Sequence, residues 1–90
     1  MPARSLTVIG RVQGVGFRAF VYSTAGVMAV QGEVWNRRDG GVQVIAEHPD
    51  PTVLERFAAQ LGHGPGRVDS VIIETLEQKG YAAFTISHSR

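Results

Sequence analysis

The sequence contains no cysteine. This absence excludes disulfide bonds, thiolate zinc sites and a covalent cysteine nucleophile, and it is compatible with a reducing compartment. The three histidines, His48, His63 and His88, are scattered along the chain without the paired spacing that is typical of metal ligands. The sequence therefore predicts no metal site and no other cofactor.

Long apolar runs and strong charge of one sign are also missing. No stretch approaches the roughly 20 apolar residues that a membrane-spanning helix requires, and the N-terminal residues lack the apolar segment of a secretory signal. The formal net charge is only +1, so no strong basic field favours nucleic acid binding. We expect a cytoplasmic protein with no membrane or nucleic acid partner.

The remaining composition fits one small folded unit. The 90 residues are 43% hydrophobic and 19% charged, which is ordinary for a globular chain. A chain of this length buries about 60–65% of its unfolded surface, which leaves room for one compact core. We expect residues 1–90 to form a single domain and the protein to be a monomer.

Apolar periodicity predicts the order β-α-β-β-α-β, followed by a short C-terminal strand. Alternating residues indicate strands around Leu6 to Val12 and over Val30 to Asn36, Gly41 to Glu47, Val68 to Thr75 and Tyr81 to Ser87. Helical spacing indicates helices over Phe17 to Met28 and Val53 to Leu61. Two split β-α-β units of this kind make a ferredoxin-like α/β (α+β) sandwich, with an antiparallel sheet and two helices on one face.

The sequence predicts the ends of the second helix more closely than the end of the first. The second helix ends at Gly62, and its start is read in two ways. Either Asp50 caps it with Pro51 in the first position, or Thr52 and Glu55 form a capping box. The end of the first helix is left open, because Gly26 lies inside it at a cost of about 1 kcal/mol relative to alanine.

A glycine loop (residues 12–18) joins the first strand to the first helix. Such a junction directs unpaired backbone N–H groups at one point, where the helix dipole adds positive charge and Arg18 can supply paired donors. The chemistry indicated is phosphate binding. Read alone, Gly14 and Gly16 would serve a tight turn. A dinucleotide pattern through Gly14, Gly16 and Ala19 is disfavoured, because the chain is too short for a doubly wound sheet.

Two motifs resemble the acylphosphatase family. The segment Val-Gln-Gly-Val-Gly-Phe-Arg at residues 12–18 matches the signature of that family. A second family block is matched by Gly32, Val34, Asn36, Asp39 and Gly40. The resemblance extends through residues 67–69 and covers nearly the whole chain. The sequence departs from the family at Ala29, where glycine often ends the first helix, and at His48, where glycine often follows Ala-Glu.

The resemblance implies an enzyme that hydrolyses the carboxyl–phosphate anhydride of a small acyl phosphate. It implies a phosphate cradle formed by the backbone of Gly14, Val15, Gly16, Phe17 and Arg18, with Arg18 and Asn36 as the catalytic residues. An arginine stabilises charge on the phosphoryl oxygens, and an amide can hold the attacking water in line without titrating. Read alone, Asn36 would be a hairpin residue chosen for its turn propensity.

The sequence also leaves a second function and a second substrate to consider. RNA-recognition domains share this element order, but Gly41 to Ala46 offers no aromatic residue on which a base could stack. The loop also resembles the acylphosphatase-like domain of large carbamoyl-transfer maturation proteins, so carbamoyl phosphate is an alternative substrate.

Arg37 and Arg38 are predicted to be solvated hairpin charges. Trp35 is predicted to lie on the opposite sheet face from Asn36.

Overall fold

The computed structural model of the protein describes residues 1–89 and contains two helices and five strands. In chain order these elements are β1 (Ala3–Arg11), α1 (Phe17–Met28), β2 (Gln31–Asn36), β3 (Val42–Glu47), α2 (Pro51–Leu61), β4 (Arg67–Leu76) and β5 (Phe84–Ile86). The predicted order is confirmed. The last strand is shorter than the predicted run from Tyr81 to Ser87, because only three of its residues pair with a neighbouring strand.

The five strands form one sheet in the order β4-β1-β3-β2-β5. The pairs β1–β3, β1–β4 and β2–β3 are antiparallel, but β5 runs parallel to β2. The prediction of a wholly antiparallel sheet is therefore wrong at this edge, and the sheet is mixed. The reason is that residues 77–83 lead from β4 at one edge to the opposite edge, where β5 enters in the direction of β2.

Both helices pack on one face of the sheet, as predicted. The core residues from the strands and helices are fully buried. Burial of each large apolar side chain of this kind stabilises the folded state by roughly 1.5–3 kcal/mol. They include Leu6 and Val8 of β1, Val34 of β2, Val42 and Val44 of β3, Val21 of α1, and Phe57 and Leu61 of α2. We call the sheet face opposite the helices the open face.

The end of α1 is set by an alanine in a left-handed conformation. Ala29 has φ 57°, and its N–H donates to the Gly26 carbonyl while the N–H of Val30 donates to the Ala25 carbonyl. These two bonds form the Schellman motif. Glycine is usual at the left-handed position of this motif, because the left-handed conformation is about 1–2 kcal/mol less favourable for residues with a Cβ atom. The departure at Ala29 therefore leaves the helix end in place, and Gly26 lies inside the helix without interrupting it.

Helix α2 starts with Asp50 as its cap, which is the first of the two predicted arrangements. The Asp50 side chain accepts a hydrogen bond from the N–H of Thr52 at 2.9 Å, and Pro51 occupies the first helical position. This pairing satisfies one of the free N–H groups at the helix start. The helix ends at Leu61, with Gly62 as its C-cap, as predicted.

A buried carboxylate attaches the β4–β5 connection to the open face. Glu47 is fully buried and accepts hydrogen bonds from the N–H groups of Lys79 at 2.6 Å, Gly80 at 3.2 Å and Tyr81 at 2.9 Å. Burial raises the pKa of Glu47, but the three N–H bonds outweigh it, so its pKa lies below the ordinary value. The ionised side chain therefore holds residues 79–81 in place.

We expect Glu47→Gln to lower the free energy of unfolding by about 3 kcal/mol at pH 7, because the amide NH2 would face backbone N–H donors. A lowered folded-state pKa gives stability that is complete above the unfolded pKa and is lost as pH falls through the folded pKa. The wild type should therefore lose stability below about pH 4, and Glu47→Gln should lose less over this range. Urea denaturation from about pH 2.5 to about pH 7 measures the effect, and parallel curves of stability against pH for the two proteins would contradict it.

Candidate active site

The glycine loop leaves β1 and enters α1 through two residues in left-handed conformations. Gly14 has φ 75° and Gly16 has φ 81°. A Cβ atom added to either residue would meet no atom within 4 Å. Backbone conformation, and not crowding, is therefore what requires glycine at these two positions. The space in front of the loop is open.

The start of α1 presents N–H groups to this open space. Gly16 provides no side-chain cap, and the first turn contains no acidic residue. The first helical hydrogen bond runs from the N–H of Phe20 to the Gly16 carbonyl, so the preceding N–H groups lie ahead of the helical ladder. The positive end of the helix dipole lies at the same place. This geometry suits an anion such as phosphate.

Phe17 attaches the glycine loop to the helix layer. Its side chain is fully buried, and its ring lies 5.8 Å from the ring of Phe20 between centroids. The turn after α2 packs directly on this ring, because a Cβ atom at Gly64 would lie 2.5 Å from a carbon of Phe17. The apolar contacts therefore fix the position of the loop relative to the helix layer.

A cavity of about 230 Å³ lies in front of the loop. It is lined by Val12, Gly14, Gly16, Phe17, Arg18, Ala19, Asn36 and Ile86. The structure thus brings together the two residues predicted to be catalytic, Arg18 and Asn36, and four of the five predicted cradle residues, Arg18 among them. Val15 belongs to the loop but does not line the cavity, and its side chain is exposed.

Asn36 reaches the cavity from the end of β2, where it pairs with Val42 of β3. It lies on the helix-facing side of the sheet, two residues after the buried Val34. Its Oδ1 atom is buried and has no hydrogen-bond partner among residues 1–89. An unsatisfied buried acceptor costs about 1–3 kcal/mol, so its occurrence in a residue that lines the cavity favours a binding function for Asn36.

Gln13 connects the glycine loop to the β2–β3 hairpin. Its Nε2 atom donates to the carbonyl oxygens of Arg37 at 2.7 Å and Gly41 at 2.9 Å. Because Asn36 precedes Arg37, these bonds fix the distance between the loop and the amide of Asn36. Sequence reasoning missed this residue, although its place inside the 12–18 motif was an available signal.

Arg37 lies at the surface of the hairpin, as predicted, and its guanidinium is also tied into the hairpin loop. Its guanidinium donates to the Asp39 carboxylate at 2.9–3.1 Å and to Oε1 of Gln43 at 2.8 Å. The hydrogen bond from Arg37 is the main cause that lowers the pKa of Asp39, and the same bond raises the pKa of Arg37. Arg38 is exposed, as predicted. These contacts stabilise the loop that follows Asn36.

Arg18 contacts the C-terminal part of the chain. It is half-buried, and its Nη1 atom donates to the carbonyl oxygen of Ser87 at 3.4 Å. Ile86 lines the cavity beside it. Sequence reasoning missed both contributions, because no motif surrounds residues 86 and 87.

The polar residues of the described chain do not cluster as metal ligands. Within residues 1–89, no three histidine, aspartate or glutamate side chains lie together in a way that could hold a metal ion. Neither helix of this part of the chain has the length and apolar character needed to cross a membrane.

Known proteins resemble this chain in both sequence and structure. The family model for acylphosphatase matches residues 4–86. An acylphosphatase of Bacillus velezensis is 45% identical over 82 residues, which are 88% of this chain and 90% of that protein. The crystal structure of acylphosphatase from Bacillus subtilis superposes with a TM-score of 0.92 at 34% identity, covering 97% of this chain and 99% of that one.

A much larger protein contains a similar unit. Full-length HypF, in its phosphate- and nucleotide-bound form, matches 98% of this chain with a TM-score of 0.82 at 32% identity. The matched part is only 12% of the HypF chain. The matching family model, the sequence relatives and the solved structures agree, and this chain belongs to the acylphosphatase family.

Proposed function

We propose that this protein hydrolyses small acyl phosphates to a carboxylate and inorganic phosphate by in-line attack of water. One observation carries the proposal. The first residues of α1, Arg18 and Asn36 all line one cavity, and the side-chain oxygen of Asn36 has no hydrogen-bond partner among residues 1–89. The first two groups suit a phosphate, and the third suits a water molecule next to it.

The phosphoryl group is held by the loop backbone and by Arg18. In the transition state, charge is spread over the equatorial oxygens of the transferring group. Fixed N–H donors and a planar guanidinium stabilise this charge without rearranging during the reaction. Gly14, Val15, Gly16, Phe17 and Arg18 are the proposed phosphate-binding residues, and Arg18 is the proposed catalytic cation.

Asn36 is the proposed water-positioning residue. Its side-chain amide holds the water by a hydrogen bond, and the water oxygen then attacks phosphorus opposite the carboxylate. A bond forms between the water oxygen and phosphorus, and the bond between phosphorus and the bridging oxygen breaks. The carboxylate leaves unprotonated, and the water proton passes to a phosphate oxygen. The step therefore needs no general acid and no protein base.

The cavity size favours recognition of the phosphate rather than of the acyl group. Its volume of about 230 Å³ is below the range of roughly 300–1,000 Å³ that is usual for ligand pockets. The acyl group therefore lies mostly outside the cavity and is weakly selected. Carbamoyl phosphate is a second candidate substrate, because the glycine loop resembles the acylphosphatase-like domain of large carbamoyl-transfer maturation proteins.

The proposed setting is a monomeric enzyme in the cytoplasm, with residues 1–90 as one domain, acting without a metal or other cofactor. The absence of cysteine supports a reducing compartment. A reaction that needs no protein base gives no role to a metal-activated water.

We expect purified protein to hydrolyse benzoyl phosphate, with inorganic phosphate as a competitive inhibitor, because product and substrate present the same group to the same loop. Acetyl phosphate and carbamoyl phosphate should be hydrolysed as well, and EDTA should leave the rates unchanged. Hydrolysis is followed by release of inorganic phosphate. Purely noncompetitive inhibition by phosphate, or a loss of activity with EDTA that a divalent metal reverses, would contradict the proposal.

A further inference from the structure

Ser87 links Arg18 to the neighbouring strand β2. Its backbone N–H donates to the Val34 carbonyl at 2.8 Å, and its Oγ atom donates to Oε2 of Glu33 at 2.7 Å. Its own carbonyl accepts the hydrogen bond from Nη1 of Arg18. One residue therefore has two attachments to β2 and one contact with the proposed phosphate-binding cation.

Glu33 holds the segments on both sides of β5. Its two carboxylate oxygens accept hydrogen bonds from the hydroxyl groups of Tyr81 and Ser87, each at 2.7 Å. Hydrogen bonds between a hydroxyl and a carboxylate are among the short and strong ones. Residue 33 alternates with Val34, so its side chain lies on the open face, away from the cavity. Glu33 and the cavity are therefore on opposite sides of the sheet.

The short strand β5 depends on such side-chain contacts. It pairs over three residues with β2 alone, at the edge of the sheet. On the helix side, Phe84 contacts the rings of Tyr22 and Phe57. These ring contacts fix the middle of the segment, and the hydrogen bonds to Glu33 fix its ends. The position of the Ser87 carbonyl follows from both.

We infer that Glu33 is a positioning residue, which orients the guanidinium of Arg18 by fixing Ser87. A long arginine side chain has many rotamers, and a fixed carbonyl partner restricts the choice before phosphate arrives. This inference rests on the proposed function for its kinetic consequences. It extends the site to a carboxylate that never touches the substrate.

The test compares Glu33→Ala, Ser87→Ala and their double variant. Each single change should lower kcat/KM for benzoyl phosphate and weaken inhibition by phosphate about 5-fold. The double variant should lose no more than either single one, because both act through the same carbonyl. Glu33→Gln should stay within about 2-fold of wild type, because its amide can accept from Tyr81 and donate to Ser87. Thr85→Ala, in the strand β5 that precedes Ser87, is the matched control and should behave as wild type.

A second measurement separates positioning from stability and does not require activity. Nitrogen-15 relaxation of the Arg18 Nε–H group, identified by its loss in Arg18→Lys, should show greater motion in Glu33→Ala and Ser87→Ala but not in Thr85→Ala. The inference is overturned if both alanine variants lose stability in urea yet keep wild-type kinetics and Arg18 order. It is also overturned if Thr85→Ala matches them. A wild type that hydrolyses no acyl phosphate would reject the proposed function, while the relaxation data would still decide the role of Glu33.

Discussion

Replacing Arg18 with lysine is expected to lower kcat/KM by at least about 10³-fold, close to the loss in Arg18→Ala. The guanidinium offers several donors in one plane, so it can contact the Ser87 carbonyl through Nη1 and still present other N–H groups to phosphate. A lysine ammonium is a compact and strongly hydrated charge that cannot reproduce this arrangement. Charge alone is therefore expected to be insufficient.

The matched control for this substitution is Arg38→Lys. Arg38 is exposed in the adjacent hairpin and does not line the cavity, so its replacement should leave kcat/KM near the wild-type value. Steady-state hydrolysis of benzoyl phosphate measures both variants, with circular dichroism to verify that each is folded. Near-normal turnover by Arg18→Lys would show that only the positive charge matters, and would contradict the planar-donor role.

Asn36→Asp is expected to be at least as damaging as Asn36→Ala near neutral pH. The change is almost isosteric, but a carboxylate about 4 Å from a phosphate charge is repelled by about 4 kcal/mol at an effective dielectric constant of 20. This repulsion outweighs what a modest base could contribute. Since Oδ1 is buried, the pKa of an aspartate here should be raised, both by burial and by the bound phosphate.

The pH dependence distinguishes water positioning from general base catalysis. On acidification the aspartate becomes neutral and again offers a donor and an acceptor, so Asn36→Asp should recover part of its activity while Asn36→Ala does not. A pH–rate series on wild type and both variants measures this. If Asn36→Asp is faster than Asn36→Ala at neutral pH, a base is what the site needs, and the role assigned to Asn36 is wrong.

The sequence predicted most of the fold because the relevant signals are local. Alternation along Val30 to Asn36 and helical spacing along Phe17 to Met28 depend only on neighbouring residues, and both elements are present. The glycine loop was predictable for the same reason, since Gly14 and Gly16 occupy conformations that other residues avoid. The parallel pairing of β5 was not predictable in this way, because periodicity reveals a strand but not its neighbour.

The composition of the candidate site was predicted in part. Arg18 and Asn36 lie in motifs, and the structure places them on one cavity. The supporting contacts have no local signature, because they join residues far apart in sequence. Gln13 and Arg37 are 24 positions apart, and Arg18 and Ser87 are 69 positions apart. Such pairs arise only once the order and register of the strands are set.

Side-chain chemistry and local backbone preference thus indicated a phosphate-binding loop and its arginine, and the resemblance to the family added the asparagine. Which groups hold them in place depended on the folded chain. Glu47 illustrates the difference, since in the sequence it is one more charged residue at the end of a strand. In the fold it is a buried carboxylate that accepts three backbone N–H groups 32 to 34 positions away. Burial and long-range partners are properties of the packed sheet, and no short segment of the chain contains them.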